Sequence, residues 1–250
     1  MLLEKKIAVI YGAGGPIGGA VAHAFAREGA SVYLAGRTAK KLDKVATGIR
    51  NDGGIAETAV LDALDEAAVD RFADGVAERA GRLDISMNVI GYGDVQKPLM
   101  EISAADFVRP IETAMRTQFL TTRAAARHMI KEGSGVILHF GGGGPQTLAG
   151  LGGFKVALDA IEGLRRQWAL ELGKHGIRVV TLRTGGIVDA IPAEFSGKEA
   201  IIASIVAGTQ LGRAAVLDDV GNVSAWVASD KARTLTSTEV NISCGALVDG

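Results

Sequence analysis

Several features that would announce a function are missing from this sequence. A single cysteine, Cys244, excludes an intrachain disulfide and fits a reducing compartment, so a cytoplasmic location is expected. The 27 Lys and Arg nearly cancel the 28 Asp and Glu, and no long run carries one sign, which argues against a nucleic-acid surface. No apolar run is long enough to span a bilayer, and Met1-Leu-Leu-Glu-Lys-Lys lacks the apolar stretch of a secretion signal. The four histidines stand apart without metal-ligand spacing, so no metal is expected, and there is no P-loop or nucleophile-elbow motif. Tyrosine is scarce: only Tyr11, Tyr33 and Tyr92.

What the chain has is hydrophobic residues (48%) and 34 glycines clustered at the ends of apolar runs. Short β-like runs alternate with helical stretches from one end to the other. Strand-like segments are read at 6–11, 31–35, 54–61, 83–89, 135–140, 177–182 and 238–242. Helices are read at 20–28, 38–51, 65–80, 103–131, 150–172 and 218–229. Such alternation predicts an α/β protein with a Rossmann-like, doubly wound parallel sheet and helices on both faces. No linker or repeat divides it, so one domain over 1–250 is expected.

The first apolar run ends in Gly12-Ala-Gly14-Gly15-Pro16-Ile17-Gly18, and a helix follows. Strand, glycine turn and helix open a dinucleotide-binding unit: glycines let the backbone approach a pyrophosphate, and the helix N-terminus holds its charge. Pro16 is tolerated in a first helical turn, where its missing N–H has no partner to lose. The second strand ends in Gly36-Arg37-Thr38. An acidic residue there would take the ribose hydroxyl of NAD; an arginine accommodates the 2′-phosphate of NADP. The bland reading of Arg37 is a surface residue paired with Asp43.

Several separate stretches make the chain resemble the short-chain dehydrogenase/reductase family over nearly its whole length. Tyr11-Gly12 to Gly18 is similar to that family's TGxxxGxG loop. Asp62 matches an aspartate that contacts adenine there, and Asn88-Val-Ile-Gly91 resembles the NNAG segment. Phe119-Leu-Thr-Thr-Arg is typical of its long central helix. Thr184-Gly185, with Ile187 just beyond, stands at its proline–glycine turn. The resemblance implies an NADP(H)-dependent oxidoreductase acting on a small-molecule carbonyl, alcohol or activated alkene, as a homodimer or homotetramer. It also implies a substrate lid, here 189–208, with Ile191, Phe195, Ile201, Ile202 and Ile205 making it apolar.

The departures from that pattern are systematic. Pro16 replaces a loop glycine and Tyr11 its threonine. Of the family's four catalytic residues, the asparagine position falls on Ala114 and the serine on Gly141 or Gly142. Two registers exist for the tyrosine and lysine: Leu151 with Lys155, or Phe154 with Leu158. Helical periodicity favours the second. Phe154, Leu158, Ile161 and Trp168 share an apolar face, whereas Lys155, Asp159, Glu162 and Arg166 form a charged stripe of the kind usually solvated. Two residues are weak substitutes as proton donors. His139 ends the fifth strand, where a lone histidine is more often a core residue; Tyr92 follows the fourth, where loop packing explains it equally. Arg183 and Asp189 fit a polar substrate or a surface pair. Two other readings stay open: a non-catalytic NADP-binding sensor or inactive subunit of a hetero-oligomer, and a loop in which Pro16 prevents dinucleotide binding.

Overall fold

A computed structural model of the chain describes residues 1–144 and 147–247. Seven strands form one parallel sheet: β1 (Ile7–Tyr11), β2 (Ser31–Gly36), β3 (Ile55–Val60), β4 (Ile85–Asn88), β5 (Gly135–Gly141), β6 (Ile177–Thr184) and β7 (Thr238–Ile242). Their order is β3-β2-β1-β4-β5-β6-β7. It reverses between β1 and β4, and in such sheets ligands bind where the order switches, beyond the carboxyl ends of the strands.

The side-chain alternation of β1 shows how the sheet is covered. Ala8 and Ile10 pack on one face against Val21 and Phe25 of α1 (Pro16–Arg27), Ile49 of α2 (Ala39–Asn51) and Val220 of α7 (Leu217–Ala228). Val9 and Tyr11 point the other way, into a second core. There they meet Val69 and Phe72 of α3 (Glu66–Ala80), Ala124 of α4 (Ala104–Glu132) and Ala169 of α5 (Gly153–Leu172). Strands covered on both faces read as continuous apolar runs, and this is a doubly wound, Rossmann-like fold.

Element ends differ from the sequence reading in three informative places. Helix α1 starts at Pro16, not residue 20, with Gly15 as its cap and proline in the first turn. Helix α5 starts at Gly153 rather than 150, because Gly150 and Gly152 adopt φ values of 85° and 55° that end the preceding turn. The segment 189–208, in which no helix is read from the sequence, contains helix α6 (Lys198–Ala207), begun after Gly197 at φ 80°. None of its residues is fully buried. Pro110 lies inside α4 without ending it; Ser103 Oγ caps that helix by accepting from the Asp106 N–H at 3.1 Å.

Candidate active site

At the switch point the structure forms a cleft of about 280 Å³. The β1–α1 turn makes one wall. Gly12 takes φ 83°, and a Cβ on it would stand 2.8 Å from the Val89 carbonyl oxygen, so only glycine lets β1 and β4 feed the turn this closely. Gly15 caps α1 without a side chain and lines the cleft, so the positive end of that helix lies at this wall. Arg37, Thr38 and Lys41 form the opposite lip. Lys41 packs against the glycine turn, with its Cβ 3.0 Å from where a Gly14 Cβ would lie. Asp62 lines the floor, its Oδ1 accepting the Leu64 N–H at 3.0 Å, and Gly91, Thr113 and Thr117 line the far end.

Six of the residues expected at a dinucleotide therefore converge: Gly12, Gly14, Gly15, Arg37, Asp62 and Gly91. The other six do not line this cleft. Pro16 and Ile17 occupy the first turn of α1, and Gly18 is buried against the Gly12 carbonyl. Asn88 is buried behind the wall; its amide donates to Thr121 Oγ1 at 3.2 Å and its Oδ1 accepts from the Ile90 N–H at 3.0 Å, which shapes Ile90-Gly91. Gly185 packs under Ala246 and Ser243, and Ile187 joins the core beside Ala215. Sequence reasoning missed Lys41, although it stands four residues after Arg37. The supposed partner of Arg37 is engaged elsewhere: Asp43 accepts from Thr58 Oγ1 at 3.3 Å, and Arg37 makes no hydrogen bond or ion pair among the described residues.

Next in sequence to Gly91 and Thr113, but outside the lining of the cleft, lies an apolar cluster. Tyr92, Ala114, Ala157 and Ile161 form a buried cluster, with Phe154 and Leu158 half-buried at its edge. The Tyr92 and Phe154 rings lie 6.3 Å apart, tilted by 43°. Of the two glycines at the strand end, Gly141 faces this cluster, since a Cβ there would meet Leu158 Cδ2 at 2.8 Å; Gly142 faces the Arg183 stem instead.

Neither weak candidate is poised to deliver a proton here. Tyr92 Oη donates to the Phe140 carbonyl at 3.2 Å and accepts from Gln118 Nε2 at 3.3 Å. Burial pushes this phenol up to about 12, and the Gln118 hydrogen bond only partly offsets that. His139 is fully buried, with Nε2 3.2 Å from Thr122 Oγ1 and Nδ1 unpaired. Burial pushes it down to about 4, so it is neutral at neutral pH.

Of the charged stripe on α5, Asp159 and Arg166 are exposed, as its spacing suggests, whereas Lys155 is partly buried and Glu162 buried. Lys155 Nζ lies 2.6 Å from both Asp159 carboxylate oxygens and donates to the Gly144 carbonyl at 2.8 Å, while Asp159 Oδ1 accepts the Gly144 N–H at 3.2 Å. This clip ties the strand end to the helix. Glu162 and Arg165 are buried and paired at 2.8 Å. Arg183, buried rather than offered to substrate, reaches Glu239 at 3.4 Å. Asp189 caps α7 by accepting the Leu217 N–H at 2.9 Å.

Comparison with known proteins places this geometry. Residues 12–246 match the family profile described as enoyl-(acyl carrier protein) reductase. The chain is 30% identical to the meso-2,3-butanediol dehydrogenase of Serratia marcescens over 260 residues, covering 98% of this chain and 96% of that one. It is 29% identical to the uncharacterized oxidoreductase YxbG of Bacillus subtilis strain 168, covering 98% and 92%. A solved 7α-hydroxysteroid dehydrogenase, complexed with NADH and 7-oxo glycochenodeoxycholic acid, superposes with a TM-score of 0.89 at 28% identity, over 97% of this chain and 94% of that one.

Proposed function

The chain belongs to the short-chain dehydrogenase/reductase family, and on that premise we propose that it is an NADP(H)-dependent oxidoreductase with atypical proton delivery. The observation that carries the cofactor choice is the unpaired Arg37, joined across the lip by Lys41. Two cations beside the ribose end of the cleft suit a phosphate dianion far better than a bare hydroxyl. The similar hydroxysteroid dehydrogenase structure holds NADH, so the phosphate preference rests on this chain's own residues. Titration calorimetry tests it: NADPH is expected to bind at least tenfold more tightly than NADH, and equal affinities would remove the reading.

When bound, the reduced cofactor supplies a hydride. The chain's part is to hold the phosphates at the Gly12–Gly15 turn and at Arg37, and to present an acceptor against Phe154 and Leu158. Pro16 in the first turn of α1 costs no hydrogen bond and favours a loop that still binds a dinucleotide. The exposed apolar residues of α6 serve as a substrate lid, and assembly into a homodimer or homotetramer in the cytoplasm accompanies the reading.

A second reading, a non-catalytic NADP-binding sensor or subunit, is favoured by the apolar residues at the family's four catalytic positions, Ala114, Gly141 or Gly142, Phe154 and Leu158. NADPH oxidation by the purified protein at ordinary enzyme rates, with any carbonyl, enone or imine, would end it.

A further inference from the structure

We propose that this chain grips NADP(H) by its adenosine 2′-phosphate half alone, and therefore binds 2′-phosphorylated adenine nucleotides whether or not they carry a nicotinamide. The inference rests on the NADP(H) reading above and says which part of that molecule the site takes.

A doubly wound sheet offers a dinucleotide two half-sites, one on each side of the switch point, with the pyrophosphate at the first helix between them. Here the order β3-β2-β1-β4-β5-β6-β7 divides them between β1 and β4. The lining of the cleft comes from the ends of β1, β2, β3 and β4, from the start of α2 and from α4; among the described residues, none of it follows β5 or β6. Its volume of about 280 Å³ lies just below the roughly 300 Å³ at which small-molecule sites begin. That suits half of a dinucleotide better than the whole.

The groups present form a set for that half. Arg37 and Lys41 supply two cations for a phosphate on the ribose. The positive end of α1 lies at the glycine turn for the 5′-phosphates. Ala63, Leu64, Val89 and Ile90 offer apolar contact to a flat base. Asp62 spends only Oδ1 on the Leu64 N–H, and the Thr113 hydroxyl makes no hydrogen bond among the described residues. A carboxylate oxygen and a hydroxyl thus remain for the polar edge of that base.

The opposite half is taken up by the protein's own packing. After β5, a Cβ on Gly141 would meet Leu158 and one on Gly142 the Arg183 stem, while Lys155 and Asp159 hold Gly144. After β6, Gly185 packs under Ala246 and Ser243, and Ile187 is buried beside Ala215. Tyr92 and Ala114, each the next residue after a lining one, turn into the buried cluster with Ala157 and Ile161. The nicotinamide of a nucleotide held in the cleft is left in solvent beside these covered strand ends. Hydride transfer then requires this half to open; a non-catalytic binder needs no such step.

Titration calorimetry on the purified chain compares NADPH with 2′-phospho-ADP-ribose, the same molecule without its nicotinamide. Seating a ring of that size in a pocket would strengthen binding roughly tenfold to a hundredfold. The two are expected instead to bind within about threefold of each other, with NADP⁺ matching NADPH, and Arg37→Ala should weaken all three by the same factor. The emission of bound NADPH, which reports on the surroundings of its dihydronicotinamide, should keep the wavelength it has in free solution. NADPH binding about tenfold or more tighter than 2′-phospho-ADP-ribose, or a blue-shifted emission, overturns the proposal and leaves the NADP(H) reading standing. If neither nucleotide binds, that reading falls and the proposal with it.

Discussion

Arg37, just before α2, and Lys41, in its first turn, line the same cleft as the glycine turn. If a 2′-phosphate sits between them, Arg37→Ala should weaken NADPH binding by about tenfold to a hundredfold, the size of a lost charge-assisted contact, and leave NADH binding within about twofold. Lys41→Ala should act in the same direction but less, since an ammonium lacks the planar fork. Fluorescence titration of both cofactors reads this, and parallel losses for the two would show that Arg37 merely shapes the loop. The positions that the family resemblance assigns to catalysis make a second prediction. Phe154→Tyr with Leu158→Lys restores a tyrosine and lysine on one helix face. Gly141→Ser can follow only once Leu158 is replaced, because a Cβ at Gly141 meets the leucine and its φ is 132°. The double variant should raise ketone reduction by about 10²–10³, the lower part of the range for general acid catalysis; an unchanged rate would mean that the acceptor does not sit against these residues. Lys155 illustrates what a sequence hides at this scale. Periodicity sets Phe154 and Leu158 beside Ala157 and Ile161 in an apolar cluster, whereas the clip of Lys155 on Gly144 depends on a loop fold that spacing does not encode.

At the scale of elements, β5, β6 and β7 carry a polar row across one face of the sheet. His139 pairs in register with Thr181, and Thr181 with Glu239, beneath Glu162 and Arg165 of α5. β5 and most of β6 read as apolar, so the row appears only when registers are known. Its two titrating members act in opposite senses. Burial, then the hydrogen bond and charge of Glu162, raise Glu239 from 4.5 to about 7, with Arg183 and Arg165 opposing. Its folded pKa lies above the unfolded one, so its contribution is full below pH 4.5 and is lost as pH rises through 7. His139, pushed down from 6.5 to about 4 by burial, with Glu162 opposing and Arg165 adding, contributes fully above pH 6.5 and loses that as pH falls through 4. At about 1.4 kcal/mol per unit the histidine effect is on the order of 3 kcal/mol at most; that of Glu239, partly exposed, is smaller. Between pH 4.5 and 6.5 the two slopes oppose. Urea midpoints of Glu239→Gln should therefore climb more steeply with pH than those of the wild type. His139→Asn should leave midpoints that fall as pH rises from 4.5 to 7. Parallel profiles for all three proteins would show that the row does not titrate in this range.

Over the whole molecule, the alternation of strands and helices was enough to give the sheet, its two helical layers and the switch-point cleft, because those follow from period and burial. Helix α6 escaped notice because its apolar residues show no one-sided pattern and none is fully buried. The far side of the sheet poses a related question at α4 and α5. Phe119 stacks on Trp168 at 5.7 Å and 27°, under the Arg123 guanidinium, yet Phe119 remains 42% exposed. Ile130 lies three turns further along α4, and Val156 and Leu170 lie four turns apart on α5, all exposed. Exposed large apolar residues aligned along two adjacent helices are what a helix-to-helix interface between copies requires, since a lone monomer seldom leaves so much apolar surface in one stripe. Sedimentation velocity should find the wild type as a dimer or tetramer at micromolar concentration. Phe119→Glu places a charge at the centre of the stripe, where pairing it would require a partner cation, and should shift the protein to monomers while its far-ultraviolet dichroism is unchanged. Monomeric wild type, or an assembly indifferent to this charge, would place the contact on another surface. If the monomeric variant binds NADPH as before, the cofactor cleft is complete within one chain, as its lining by β1, β2, β3, β4 and α4 neighbours requires.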